Sequence, residues 1–167
     1  MQNLLPIAEK IAASLKDRRE TVTVAESSTG GLISAALLSV AGASVYYRGG
    51  AVVYTLDARR AFLDIPDSTL KGLKPLSEQY AIALARGARD RFTSSWGIGE
   101  LGAAGPTGSR YGDPAGTSVI AVAGAVERSL TVRTGSADRH ANMRAFSAAA
   151  LDLLAQCLAA APAPARS

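Results

Sequence analysis

The sequence of 167 residues contains one cysteine, one histidine and few aromatic residues. A single cysteine, Cys157, excludes an intramolecular disulfide framework and a cysteine-based zinc site. Because Cys157 lies in an apolar helical stretch, we predict a small core residue there and not a nucleophile. The lone His140 cannot form a histidine-rich metal site, and nothing in the sequence requires a metal or another cofactor.

Long hydrophobic runs and clusters of like charge are also scarce. No segment approaches the roughly 20 consecutive apolar residues of a membrane span. Residues 4–15 are amphipathic and interrupted by Pro6, Glu9 and Lys10, which favours a first helix over a signal peptide. We therefore expect a soluble, cytoplasmic protein without membrane contact.

The formal net charge is +4, and the basic residues are scattered. Nucleic-acid binding needs a basic stripe or an aromatic platform, and neither is visible. We therefore predict no nucleic-acid partner. A basic balance does suit a small anionic ligand such as a phosphate ester.

Helical and extended patterns alternate along the chain. Apolar residues recur at helical spacing over residues 2–18, and the β-branched residues 21–25 indicate a buried strand. Further helices are predicted over 32–38, from an N-cap at Asp57 to Leu63, after an N-cap at Ser77, and from Asp138 to Ala160. Further strands are predicted over 50–54, 97–103, 117–123 and 129–134.

This order of elements predicts a three-layer α/β/α domain with a mixed, mostly parallel sheet of about five strands. One strand pair should be antiparallel, because residues 126–128 indicate a tight turn. We predict a single domain over residues 1–160. The Ala- and Pro-rich residues 161–167 are predicted to form a disordered tail.

Three unusual segments lie at the carboxyl ends of predicted strands, where open α/β sheets bind their ligands. The first, residues 27–31, combines small residues with the start of a helix, and its N–H groups favour an anion or an oxyanion. The second is Tyr54 with the turn at 57–60, and the third is the loop beginning at Gly102. Each segment is also compatible with an ordinary cap, core aromatic residue or turn. The residues alone therefore indicate a phosphate or amide pocket and no particular reaction.

Several motifs also occur in a characteristic order. Residues 23–32 read Thr-Val-Ala-Glu-Ser-Ser-Thr-Gly-Gly-Leu, and this segment resembles the hallmark Ala-Glu-Ser-Cys-Thr-Gly-Gly of the CinA C-terminal domain family. The similarity continues through 42–44, 49–50, 54, 57–59, 76–78, 102–106, 114–117 and 135–139. It covers residues 4–155, and so many motifs in one order make it specific.

Active members of that family are nicotinamide-nucleotide amidases, which convert nicotinamide mononucleotide and water to nicotinate mononucleotide and ammonia. They use a serine nucleophile, a lysine base and a tyrosine. The resemblance implies that Ser27 is the nucleophile, that Tyr54 is the tyrosine and that Arg59 stands at the lysine position. It also implies a phosphate clamp at Arg139. Main-chain groups that bind substrate or oxyanion are expected at Thr29, Gly30, Gly31, Gly102 and Gly105. Relatives are often oligomeric, so a homo-oligomer is expected.

The sequence departs from the family at the expected pocket. Arginine carries its charge throughout the physiological pH range, so Arg59 is a poor general base. Leu56 and Leu101 stand where the family often has an asparagine and a serine or threonine. Ser28 in place of cysteine is a conservative change.

An unassisted Ser27 is a weak nucleophile, and the adjacent Glu26 is expected to face the opposite side of its strand. Two alternatives to the amidase therefore remain. The first is a nucleotide-binding domain with impaired catalysis. The second is an interaction module linked to competence or DNA damage, which no basic stripe supports.

Overall fold

A computed structural model describes residues 3–163. Five strands form one sheet in the order β2-β1-β3-β4-β5. They are β1 (Val22–Glu26), β2 (Tyr47–Val52), β3 (Trp96–Ala103), β4 (Thr117–Ala123) and β5 (Arg128–Arg133). β1 pairs in parallel with β2 and with β3, whereas the pairs β3–β4 and β4–β5 are antiparallel. The mixed five-stranded sheet is confirmed. It contains two antiparallel pairs instead of the one expected, because β4 runs back beside β3 after the loop at 104–116.

Helices cover both faces of the sheet, as predicted. They are α1 (Leu5–Arg18), α2 (Leu32–Leu38), α3 (Leu56–Leu63), α4 (Asp67–Leu70), α5 (Glu78–Arg91) and α6 (Arg139–Ala160). α1, α2 and α6 pack on one face, and α5 packs on the other with α3 and α4 beside it. The sequence did not indicate α4 or the single 3₁₀ turn at Ala43–Val45, because elements this short carry no periodic signal.

Of the two predicted N-caps, Ser77 is confirmed, and Asp138, which was predicted to open the last helix, also caps that helix. The Ser77 hydroxyl accepts a hydrogen bond from the Tyr80 N–H at 3.3 Å, and the Asp138 carboxylate accepts one from the Ala141 N–H at 3.0 Å. The prediction for Asp57 is wrong, because Thr55 caps α3 and Asp57 lies in the first turn of that helix. The helix begins earlier than expected because Thr55 is extended and its hydroxyl can reach the free N–H groups.

The two faces of β3 differ sharply. Its odd-numbered positions face α5, and a Cβ atom at Gly97 or Gly99 would collide with main-chain oxygens of that helix. Its even-numbered positions face α1, α2 and α6, where Trp96 and Ile98 are fully buried. Side chains alternate across a strand, so this arrangement also directs Glu100 toward the α2 side of the sheet.

Helix α6 lies in the core beneath β4 and β5. Its buried residues include Phe146, Leu151, Leu154 and Cys157, and burial raises the pKa of the Cys157 thiol. Cys157 is therefore a core residue, as predicted. By length and composition alone, α6 is long and apolar enough to span a membrane, contrary to our expectation for any segment. Its burial in this domain explains that composition.

The predicted disordered tail begins inside the described residues. Ala161 packs against the core, and the carbonyl of Pro162 accepts a hydrogen bond from the Arg18 guanidinium at 2.8 Å. The tail prediction therefore does not hold for this first part, because both residues have defined contacts. Residues 164–167 lie outside the described part of the chain.

Candidate functional site

A cavity of about 580 Å³ opens at the carboxyl edge of β1, β2 and β3. β1 lies between two parallel neighbours, so the connections from β1 to β2 and from β2 to β3 leave this edge in opposite directions. Such a switch point is where open α/β sheets bind ligands. The cavity is lined by Ser27 and Ser28 after β1, Tyr54–Leu56 after β2, residues 101–105 of β3 and its extension, loop residues 107–111, Arg59, Pro75, Leu76 and Arg139.

Six of the nine residues predicted for the site line this cavity. They are Ser27, Tyr54, Arg59, Gly102, Gly105 and Arg139. The other three, Thr29, Gly30 and Gly31, lie behind the cavity wall, and their N–H groups have acceptors within the protein. Those acceptors are Glu100 Oε2 at 3.1 Å, the Ser27 carbonyl at 3.2 Å and Glu26 Oε2 at 3.0 Å, respectively. The expected oxyanion contact at these three positions is therefore corrected, since their donors are already in use.

Other main-chain donors at the cavity are free. In residues 3–163, the N–H groups of Ser28, Ala104 and Gly105 have no acceptor within the protein. All three residues line the cavity. An unpaired main-chain donor must be satisfied by solvent or ligand, so these groups are the available donors for an oxyanion.

The side chain of Ser27 reaches the cavity with its hydroxyl unengaged. Ser27 is 6% exposed, and among the described residues its Oγ has no hydrogen-bond partner. Tyr54, across the cavity, is 61% exposed, and its hydroxyl likewise has no partner in the described part of the chain. Both groups are therefore available to a ligand.

A carboxylate that the sequence analysis missed lies beneath Ser27 and Ser28. Glu100 is completely buried, and its Oε2 accepts hydrogen bonds from the N–H groups of Ser27 and Thr29 at 3.0 and 3.1 Å. Its Oε1 accepts from the hydroxyls of Ser28 and Ser118. No lysine or arginine forms an ion pair with it in residues 3–163. The available signal was a single charged residue within the buried strand β3.

Glu26 faces away from the cavity, as predicted. Its carboxylate accepts hydrogen bonds from the N–H groups of Gly31, Ile33 and Ser34 at 3.0–3.1 Å, and from the Ser34 hydroxyl at 2.5 Å. Glu26 therefore caps the start of α2 and is not placed to act on Ser27. The Thr29 hydroxyl lies between the two carboxylates, 2.7 Å from Glu26 Oε2 and 3.0 Å from Glu100 Oε2.

Arg59 forms a fixed part of the cavity wall. Its Nε donates to the Val53 carbonyl at 3.1 Å, and its Nη1 donates to the Tyr80 hydroxyl at 2.9 Å. The guanidinium carbon lies 5.2 Å from the centre of the Tyr80 ring. The Arg59 guanidinium is therefore bound by groups of the protein itself. Leu56 and Leu101, the other two departures from the family pattern, also line the cavity.

Positive charge dominates the cavity. Its lining contains Arg59, Arg110 and Arg139 and no aspartate or glutamate. Arg139 donates to the Gly105 carbonyl at 2.8 Å, and the Arg110 guanidinium stacks 5.0 Å from the centre of the Tyr111 ring. A lining of one sign attracts an anionic ligand. Arg110 and Tyr111 were missed by sequence analysis, although both stand out within a Gly-rich loop.

The described residues contain no group of three or more histidine, cysteine, aspartate or glutamate side chains that could hold a metal ion. The cavity instead combines hydroxyl groups, unpaired main-chain donors and arginines. This combination is suited to binding an anion and polarising a carbonyl group.

Comparison with known proteins places the chain in a family. The CinA C-terminal domain family matches residues 4–158. A CinA-like protein of Anaeromyxobacter dehalogenans is 38% identical over 148 residues, which cover 89% of this chain and 36% of that protein. The chain spans about a third of the length of the curated relatives it matches.

Solved structures of competence/damage-inducible proteins have the same fold as this chain. The crystal structure of the competence/damage inducible protein CihA from Agrobacterium tumefaciens has a TM-score of 0.82 and 31% identity, and the match covers 92% of this chain and 94% of that one. The competence damage-inducible protein A (ComA) from Klebsiella pneumoniae has a TM-score of 0.86 and 27% identity, covering 94% and 98%. The fold is an α/β domain with a cavity at the carboxyl edge of its sheet. The chain belongs to the CinA C-terminal domain family.

Proposed function

We propose that this chain is a hydrolase of the nicotinamide-nucleotide amidase type, which converts nicotinamide mononucleotide and water to nicotinate mononucleotide and ammonia. The observation that supports it most directly is that Ser27, from the turn after β1, and Tyr54 and Arg59, from the segment after β2, line one cavity. These are the positions at which the family has its serine, tyrosine and lysine. The cavity volume also lies within the range of small-molecule sites.

In the proposed reaction the Ser27 hydroxyl attacks the amide carbonyl, and the carbonyl oxygen becomes an oxyanion. The unpaired N–H groups of Ser28 and Gly105 are the proposed donors to that oxyanion. Tyr54, exposed at the cavity mouth, is proposed to hydrogen-bond the amide group. Arg139 is proposed to bind the phosphate through its guanidinium.

A nucleotide-binding domain with impaired catalysis is the second candidate. It is favoured by the two hydrogen bonds that hold Arg59 against Val53 and Tyr80, because a permanently protonated and engaged side chain cannot take the proton of Ser27. Under either candidate we propose a cytoplasmic protein that acts as a homo-oligomer on a small nucleotide, without nucleic-acid or membrane partners. Unchanged electrophoretic mobility of DNA in excess protein would remove the remaining alternative, a DNA-linked interaction module.

The test is ammonia release from nicotinamide mononucleotide by the native protein, by Ser27→Ala and by Arg59→Lys. Release by the native protein that is lost in Ser27→Ala supports the amidase. If the native protein releases no ammonia but binds the nucleotide in calorimetry, and Arg59→Lys does release ammonia, the result supports the impaired binding domain. If none of the three proteins releases ammonia or binds the nucleotide, both candidates are contradicted.

A further inference from the structure

The proposed nucleophile has no base of its own. In the described residues the Ser27 hydroxyl has no hydrogen-bond partner, and the family's lysine position holds Arg59, whose guanidinium is bound to Val53 and Tyr80. A serine hydroxyl attacks an amide effectively only when a group nearby removes its proton. If the proposed hydrolysis occurs, that group must come from elsewhere in the cavity wall.

Ser28 is the neighbouring hydroxyl in the same wall, and it is bound to a carboxylate. Its Oγ donates a short hydrogen bond to Glu100 Oε1 and lines the cavity beside Ser27. Because a hydroxyl has one hydrogen and two lone pairs, Ser28 can still accept a hydrogen bond while it donates to Glu100. Its free lone pairs are therefore an acceptor in the cavity wall that is connected to a carboxylate.

Glu100 is held in place by the nucleophile's own backbone. Its Oε2 accepts the N–H of Ser27 at 3.0 Å, and its Oε1 accepts the Ser118 hydroxyl at 3.0 Å. A base acts efficiently when other groups fix its orientation relative to the nucleophile. Here Glu100 of β3 is hydrogen-bonded to both Ser27 and Ser28 of the turn after β1. Their relative positions therefore cannot drift independently.

We propose that Glu100 replaces the missing lysine by accepting, through the Ser28 hydroxyl, the proton of Ser27. This inference rests on the proposed amide hydrolysis. As the Ser27 Oγ–carbon bond forms, the proton of Ser27 passes to Ser28 Oγ, directly or through one water, and the Ser28 proton passes to Glu100. When the carbon–nitrogen bond breaks, the proton returns along the same path to the departing nitrogen, which leaves as ammonia. Water then attacks the ester carbon and gives a proton to the same path, and as the ester carbon–oxygen bond breaks that proton returns to Ser27 Oγ, which releases the acid, free Ser27 and the ionised Glu100.

The chain contains a matched control beneath the same turn. The Ser34 hydroxyl donates to Glu26 Oε1, so Ser34–Glu26 is a second serine–glutamate pair in which the glutamate is fully buried. Neither residue lines the cavity. Changes in this pair affect the start of α2 as changes in Ser28–Glu100 affect the turn. Neither residue belongs to the proposed path, and the Thr29 hydroxyl is the one contact that the two carboxylates share in the described residues.

The experiment compares Ser28→Ala and Glu100→Gln with Ser34→Ala and Glu26→Gln in the full chain. Ammonia release from nicotinamide mononucleotide gives kcat and KM, and a serine-reactive fluorophosphonate, mapped by mass spectrometry, gives the labelling rate of Ser27. We expect Ser28→Ala and Glu100→Gln to lower kcat by about 10²–10³-fold with little change in KM, as for loss of general-base assistance. The double variant should lose no more than the worse single variant. The control pair should keep its kcat, corrected for folded fraction.

Ser28→Cys keeps a donor to Glu100 and should restore part of the activity lost in Ser28→Ala. It also keeps the proposal testable if Glu100→Gln does not fold. An unchanged kcat in Ser28→Ala, or equal losses in both pairs, overturns the relay while leaving the amidase intact. If the native protein releases no ammonia but Ser27 labelling still slows in Ser28→Ala and not in Ser34→Ala, the proposed substrate is wrong and the relay stands. If the labelling rate of Ser27 is the same in all four variants as in the native protein, the relay is overturned.

Discussion

The turn after β1 has two sides that differ in how completely their polar groups are used. On the inner side, Glu26 and Glu100 are fully buried, and each accepts four hydrogen bonds from main-chain and hydroxyl donors, apart from the Thr29 hydroxyl that lies between them. On the cavity side, the hydroxyls of Ser27 and Tyr54 and the N–H of Ser28 have no partner among residues 3–163.

The difference shows how a short turn can be both rigid and reactive. Buried carboxylates with several donors hold a backbone conformation, because each donor would lose a hydrogen bond if the turn moved. The groups left over on the other side are then presented to the cavity without having to be ordered by the ligand. We therefore expect changes on the inner side to lower stability first and changes on the cavity side to alter activity alone.

The largest effect on stability is expected for Glu100→Leu, which tests whether the inner side of the turn holds the fold. The change leaves the N–H groups of Ser27 and Thr29 and the Ser28 hydroxyl without an acceptor, and it leaves the Ser118 hydroxyl only the Leu101 carbonyl at 3.3 Å. We expect the free energy of unfolding to fall by about 3–5 kcal/mol, measured by urea denaturation. The control is Glu127→Leu, which removes a partly exposed ion pair with Arg86 and should cost at most about 1 kcal/mol. Equal losses in the two variants would contradict the holding role of Glu100.

The cavity side is tested by Ser27→Ala. Because the Ser27 hydroxyl has no partner in the described residues, its removal should leave the melting temperature within about 1–2 °C of the native value. Ammonia release should fall by about 10³-fold or more if Ser27 is the nucleophile. Thermal unfolding and the ammonia assay on one preparation check both halves. A large drop in melting temperature would show that the cavity side also holds the fold.

A smaller effect is expected for Arg139→Ala. The guanidinium stands at the cavity, and its hydrogen bond to Gly105 is exposed in part. Loss of one phosphate contact should raise KM for nicotinamide mononucleotide by about tenfold, equivalent to about 1.4 kcal/mol, with little change in kcat. Arg133→Ala, at an exposed position of β5 outside the cavity, is the control. A fall in kcat with unchanged KM would argue against a phosphate contact.

The smallest expected effect concerns Asp138, the N-cap of α6. Its hydrogen bond from the Ala141 N–H holds the pKa of the carboxyl below its usual 3.8. The native contribution is therefore fully present above the usual value and is lost as the pH falls through the lower folded value. Asp138→Asn keeps a capping oxygen but cannot titrate. We expect urea midpoints of the native protein to decline more steeply below about pH 4 than those of the variant. Parallel declines would contradict this assignment.

Sequence analysis predicted the cavity side better than the inner side, for a physical reason. Ser27 directly follows β1 and Tyr54 is the second residue after β2, so a strand prediction already places them at one edge of the sheet. Glu100 meets Ser27 across 73 positions of sequence. This hydrogen bond depends on the pairing of β1 with β3 and on which face of β3 carries the Glu100 side chain. Neither can be predicted from the sequence unless the register of the two strands is known.

The oxyanion donors show the same limit. Small residues at 29–31 indicated available N–H groups, but the availability of a donor depends on acceptors elsewhere, and Glu26 and Glu100 take two of these three. The same applies to Arg59. The residue type alone indicates a poor base, whereas its hydrogen bond to Tyr80 joins residues 21 positions apart and is not apparent from the sequence.

The glycines of β3 have a consequence for insertions and deletions in this chain. Gly97 and Gly99 accept the close approach of α5 on one face, and Glu100 must meet Ser27 on the other. Adding or removing one residue within the strand would turn the carboxylate toward the helix and push a bulky side chain into the space of a glycine. We therefore expect this strand to tolerate no change in length, whereas the loop at 105–116, free of such alternation, can differ in length between related chains while the site beneath it stays aligned.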